Sequence, residues 1–161
     1  MVEPLTLDKL PDLAALMTAV RKNKSGDSRR LTEATWNAMA EVLQRRVVEP
    51  QTCLIRQGET GRGVFFVESG LLRVFRLEAG DRLQLAVIGA GSLVGEGAFF
   101  APMVRNASVE AIETAVVWEL SSEGFATMTA RYPEQALALS LYLGAVLSAR
   151  MVRPAGRLSI T

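Results

Sequence analysis

The chain has 161 residues, a net charge of +1, 49% hydrophobic residues, one cysteine and no histidine. That length supports a single good core with helical additions, and a charge so close to zero gives no strong field toward DNA or a membrane surface. Without histidine there is no Ser-His-Asp triad, histidine metal site or histidine haem ligand, and one cysteine excludes an internal disulfide and a cysteine-ligated iron–sulfur cluster. A lone thiol suits a reducing cytoplasm, and no stretch has a signal-peptide layout or the length of a membrane span.

The first periodic segment runs over 7–20, where Leu10, Leu13, Leu16 and Met17 recur at helical spacing. Pro11 suits a first helical position, which leaves Lys9 and Leu10 just outside. Residues 21–30 are polar and read as an exposed connector, so 1–30 form an N-terminal helix and linker. Thr32 is placed to cap a second helix through about Gln44, with Trp36, Met39, Ala40 and Leu43 on one face. Glu49-Pro50 ends the helical region. Short apolar runs follow at 52–56, 64–68, 71–77, 83–88, 107–112 and 115–120, separated by glycines, and six such strands predict a sandwich or barrel. Cys53 reads as a small apolar strand residue.

Between the fourth and fifth of these strands lies Gly95-Glu96-Gly97-Ala98-Phe99-Phe100-Ala101-Pro102-Met103-Val104-Arg105-Asn106-Ala107-Ser108. A turn opening at Gly95 offers backbone N–H groups, those of Gly97 and Ala98 foremost, to an anion. Arg105 brings a planar two-pronged donor suited to phosphate oxygens. Glu96 is an acceptor-only carboxylate that suits a ribose hydroxyl. Ser108 either donates to a phosphate or is an ordinary strand serine, and Phe99 and Phe100 read as core. Glu96 and Arg105 would alternatively pair with each other across a barrel loop. The chain closes with a helix over 133–151, started by Pro133 and apolar nearly all round, which requires two burial surfaces.

The stretch from Gly95 resembles the phosphate-binding cassette of cyclic nucleotide-binding domains. Gly95, Glu96, Ala98, Arg105, Ala107 and Ser108 agree with it in type and spacing, while Val94 replaces a usual aromatic and Gly97 a usual leucine or methionine. Arg56-Gln57-Gly58-Glu59, Val64 to Gly70, Gly89 to Glu96, Ser121 to Phe125 and Tyr132-Pro133-Glu134 extend the likeness over about 31–151. The resemblance implies a mainly β fold, an antiparallel eight-stranded jelly-roll (double-stranded β-helix) barrel with N-terminal helices and a C-terminal helix pair. It divides the chain into 1–30, a nucleotide-binding domain at 31–152 and a short tail at 153–161.

By the same resemblance the ligand is a 3′,5′-cyclic mononucleotide, bound at Gly95, Glu96, Gly97, Ala98, Arg105, Asn106, Ala107 and Ser108. Asn106 follows the arginine where alanine, serine or threonine is common, and it leaves the base open between cyclic AMP, the first choice, and cyclic GMP. No metal, cofactor or chemistry on the nucleotide is expected: the chain reads as a cytoplasmic regulatory module, not an enzyme. In regulators of the catabolite-activator type the last helix packs on its twin, so a homodimer through 133–151 is expected, with Leu139, Leu143, Val146 and Met151 at the seam. A monomer whose N-terminal helix covers that face is the alternative. The residues after Met151 hold no recognition helix, so DNA binding by this chain alone is not expected. A downstream protein partner, a non-sensing module of the same fold, or the effector half of a longer regulator remain alternatives.

Overall fold

The computed structural model describes residues 9–24 and 27–152. Its barrel is two facing antiparallel four-stranded sheets, made from β1 (Gln44–Val48), β2 (Cys53–Ile55), β3 (Val64–Ser69), β4 (Leu72–Glu78), β5 (Asp81–Ile88), β6 (Leu93–Val94), β7 (Ser108–Ala111) and β8 (Ala115–Leu120). One sheet has the order β1-β8-β3-β6 and the other β2-β7-β4-β5. This is the expected antiparallel jelly roll.

The first sheet is covered on both faces, which is why its central strands read as unbroken apolar runs. Phe65, Val67, Val94, Ala115 and Val117 point between the sheets, where they meet Ile55, Leu72, Val74 and Val109. The alternate residues Val64, Phe66, Leu93, Trp118 and Leu120 point the other way, into a second core built with the helices. Those helices are α1 (Lys9–Lys22), α2 (Glu33–Ala40), α3 (Glu96–Phe100), α4 (Ser122–Arg131) and α5 (Pro133–Met151). Leu13, Leu16 and Val20 of α1 are fully buried there beside Trp36 and Met39 of α2. The tail at 153–161 lies outside the described residues.

Several boundaries differ from the sequence expectation. α1 begins at Lys9, so Pro11 sits inside its first turn rather than opening it. Thr32 does cap α2, accepting from the Thr35 N–H at 3.3 Å, but the helix ends at Ala40 and not near Gln44. Residues 44–48 pair with β8 instead. Four of those five are exposed, so β1 has no alternation to betray it and its partner strand decides its state. β6 is two residues long and was likewise hidden.

α5 is also corrected. Leu139, Leu143 and Val146 are not at an outer seam: all three are at most 1% exposed, inside the core shared with α1 and α2. The outward residues are Leu137 and Leu141, 62% and 49% exposed, followed by Met151. A helix apolar all round gives no period to say which face turns inward. Cys53 is a half-buried thiol in β2 whose pKa is pushed up by burial, as expected of a small strand residue.

Candidate functional site

The cassette begins where β6 runs into α3. Gly95 makes that corner at φ +93°, and an added Cβ would stand 2.8 Å from Arg105 Nη1 and 2.9 Å from the Gly63 carbonyl oxygen. Only glycine takes this conformation without strain and also admits the arginine so close. Arg105 Nη1 donates to the Gly95 carbonyl at 2.9 Å, and Nη2 donates to the Gly63 carbonyl at 2.6 Å. Its own backbone is braced as well: its N–H donates to the Glu59 carbonyl at 2.8 Å, and its carbonyl accepts from the Gly58 N–H at 2.7 Å.

Arg105 is 4% exposed and, among the described residues, lies in no ion pair. Burial lowers its pKa, tempered by Glu96, Glu59 and Glu119 acting from beyond contact. A buried guanidinium held by carbonyls, without a carboxylate against it, is a cation short of an anion. It lines a groove of about 480 Å³, walled by Ile55, Thr60, Gly61, Phe65 and Ser121.

The other nominated residues scatter around this point. Ala107 is buried between the sheets. The Ser108 hydroxyl, also buried, accepts from the Gln57 N–H at 2.9 Å. Asn106 is exposed, Gly97 half-buried and Ala98 buried. Phe99 is buried with its ring edge-on to Phe100 and Phe125, whereas Phe100 is 44% exposed and is not core. Glu96 is fully enclosed, and its partner is Arg150 of α5, not Arg105. Burial raises the Glu96 pKa while Arg150 pulls it back down.

Among the contacts that sequence reasoning misses is that of Arg150 with Glu96. An arginine in the last turn of an otherwise apolar helix was the available sign for it. Among the described residues no cluster of His, Cys, Asp and Glu is built to hold a metal ion, and no helix is long and apolar enough to cross a membrane.

Comparison with known proteins agrees with this architecture. The cyclic nucleotide-binding domain model matches residues 45–132, more than half of the chain. The chain is 35% identical over 89 residues to a cAMP-dependent protein kinase regulatory subunit of Yarrowia lipolytica, covering 55% of this chain and 23% of that one. It is 30% identical over 145 residues to human cGMP-dependent protein kinase 2, covering 80% and 18%. It thus spans about a fifth of the length of each of these relatives. A crystal structure of a cyclic nucleotide-binding domain from Methylobacillus flagellatus superposes with a TM-score of 0.76 at 20% identity, covering 88% of this chain and 79% of that one. The chain belongs to the cyclic nucleotide-binding domain family.

Proposed function

We propose that the chain senses a 3′,5′-cyclic mononucleotide in the cytoplasm, binding it without chemistry and reporting through α5. The observation that carries this reading is Arg105: a buried guanidinium, in no ion pair among the described residues, at the wall of a groove large enough for a nucleotide. The cyclic phosphate supplies the missing negative charge, and the two-pronged fork meets two of its oxygens. On the cassette pattern, Gly97, Ala98, Asn106 and Ser108 are assigned to the same ligand. The ligand moves α5 only as far as it prefers one placement of that helix over another.

Calorimetric titration of the nucleotide-stripped protein with cyclic AMP and, separately, cyclic GMP tests this. One saturable site per chain is expected, tighter for cyclic AMP. Absence of heat with either nucleotide from a folded sample would sink the proposal.

The same reading pairs two copies of the chain through the outer face of α5. Leu137 and Leu141 lie one turn apart on that face, and Gly144 leaves open space beside them for a close helix. The double change Leu137→Lys and Leu141→Lys is expected to halve the mass seen by light scattering. Both side chains are largely exposed, so the melting temperature of the chain itself should barely move. An unchanged mass would remove α5 as the seam.

A further inference from the structure

The proposed function leaves the placement of Glu96 unexplained. Its carboxylate has no exposed surface. Oε1 accepts from Arg150 Nη1, and Oε2 is buried without a hydrogen-bond partner. Arg150 Nη2 donates at the same time to the Leu93 carbonyl, so one guanidinium bridges the end of β6 and the first turn of α3. Arg150 belongs to the last turn of α5. Beyond Val146 the side chains through Val152 are exposed or half-buried, and the side-chain hydrogen bonds tying that turn to the barrel come from Arg150.

Resting on the nucleotide reading above, we infer that Arg150 is a latch: it occupies the Glu96 carboxylate that a sugar hydroxyl of the nucleotide would use. Nucleotide and the end of α5 therefore compete for one acidic group. A neutral hydroxyl does not displace a guanidinium from a buried carboxylate on its own merits, because charge-assisted bonds are the stronger ones. The phosphate contact at Arg105 provides the remaining drive, and the open fraction of the latch scales the apparent affinity. The unpartnered Oε2 has acceptor capacity to spare for a second donor once the wall shifts. Loss of the ion pair leaves the last turn with little apolar burial to hold it. The nucleotide then does more than fill a groove: by taking Glu96 it releases a defined end of α5, next to the exposed Met151 and Val152.

The test is titration of each of cyclic AMP and cyclic GMP into the unaltered chain, Arg150→Met and Arg105→Ala. Methionine keeps an apolar stem and removes the charge. Arg150→Met is expected to bind about tenfold more tightly, as follows if the latch is open about a tenth of the time. Equal or weaker binding by Arg150→Met, with Arg105→Ala still binding far more weakly than the unaltered chain, overturns the latch and leaves the phosphate site standing. Failure of both the unaltered chain and Arg150→Met to bind overturns the nucleotide reading, and the latch with it. A second measurement needs no variant, should Arg150→Met fold poorly. Amide hydrogen exchange over 148–152 of the unaltered chain is expected to quicken on saturation with nucleotide; unchanged or slower exchange overturns the latch.

Discussion

Arg105→Ala is expected to weaken cyclic nucleotide binding by about 2–5 kcal/mol, part of it from leaving the phosphate charge without a partner. At about 1.4 kcal/mol per decade, that is a loss of roughly thirtyfold to several thousandfold. Arg105→Lys should recover only a small part, because an ammonium keeps the charge but not the fork that reaches two oxygens. Stability should respond far less than affinity. The alanine leaves the Gly63 and Gly95 carbonyls without their donor, at about 1–3 kcal/mol for each that stays unsatisfied. In the same step it relieves the cost of enclosing an unpaired cation. Parallel calorimetry and thermal unfolding of the two variants separate these effects. Unaltered affinity in Arg105→Ala would move the anion elsewhere on the barrel.

Gly91→Ala should be the most damaging of the glycine-to-alanine changes for which the described residues show a neighbour. Gly91 turns at φ +82° just before β6, and a Cβ there would stand 2.2 Å from the Ala19 carbonyl oxygen of α1 and 2.7 Å from Asn23 Cβ. Its backbone has no room to retreat, since its N–H donates to the Val67 carbonyl at 2.8 Å, and the Val67 N–H donates to Ser92 at the same distance. The left-handed conformation alone costs an alanine about 1–2 kcal/mol. Pushing α1 outward also uncovers part of Leu13, Leu16 and Val20, each worth about 1.5–3 kcal/mol when fully buried. A total on the order of 3 kcal/mol or more corresponds to a fall in Tm of roughly 6–12 °C for a domain of this size. Gly80→Ala is the control: its φ is +85°, but a Cβ there meets nothing within 4 Å. Equal losses in the two variants, followed by circular dichroism, would mean that α1 does not press on this turn.

How much of this was legible in the sequence depends on how local each determinant is. β3, β4 and β8 announce themselves because their apolar residues are dictated by cores on one or both sides, whatever the rest of the chain does. β1 carries Gln44, Arg45 and Arg46 on exposed positions and becomes a strand only because β8 lies beside it. The turn at Gly95 was readable for the same reason as the strong strands: its determinants are local. The Glu96–Arg150 pair was not, since it joins positions 54 apart and depends on how α5 is rotated. The even spread of leucine and alanine around that helix leaves its rotation unspecified, and the same ambiguity put Leu139, Leu143 and Val146 on the wrong side.

Gln57 has a consequence for how the groove wall behaves. Its side-chain amide accepts from the Leu77 N–H at 2.8 Å and donates to the Leu77 carbonyl at 3.3 Å, copying the pair of bonds that a neighbouring strand would make with β4. A rung made by a side chain has no next rung to share its load. Both bonds lie in exposed surroundings, where water replaces each at little cost. The rim bearing Thr60 and Gly61 is therefore held on one side by a side-chain rung and on the other by the backbone pairing of Gly58 and Glu59 with Arg105.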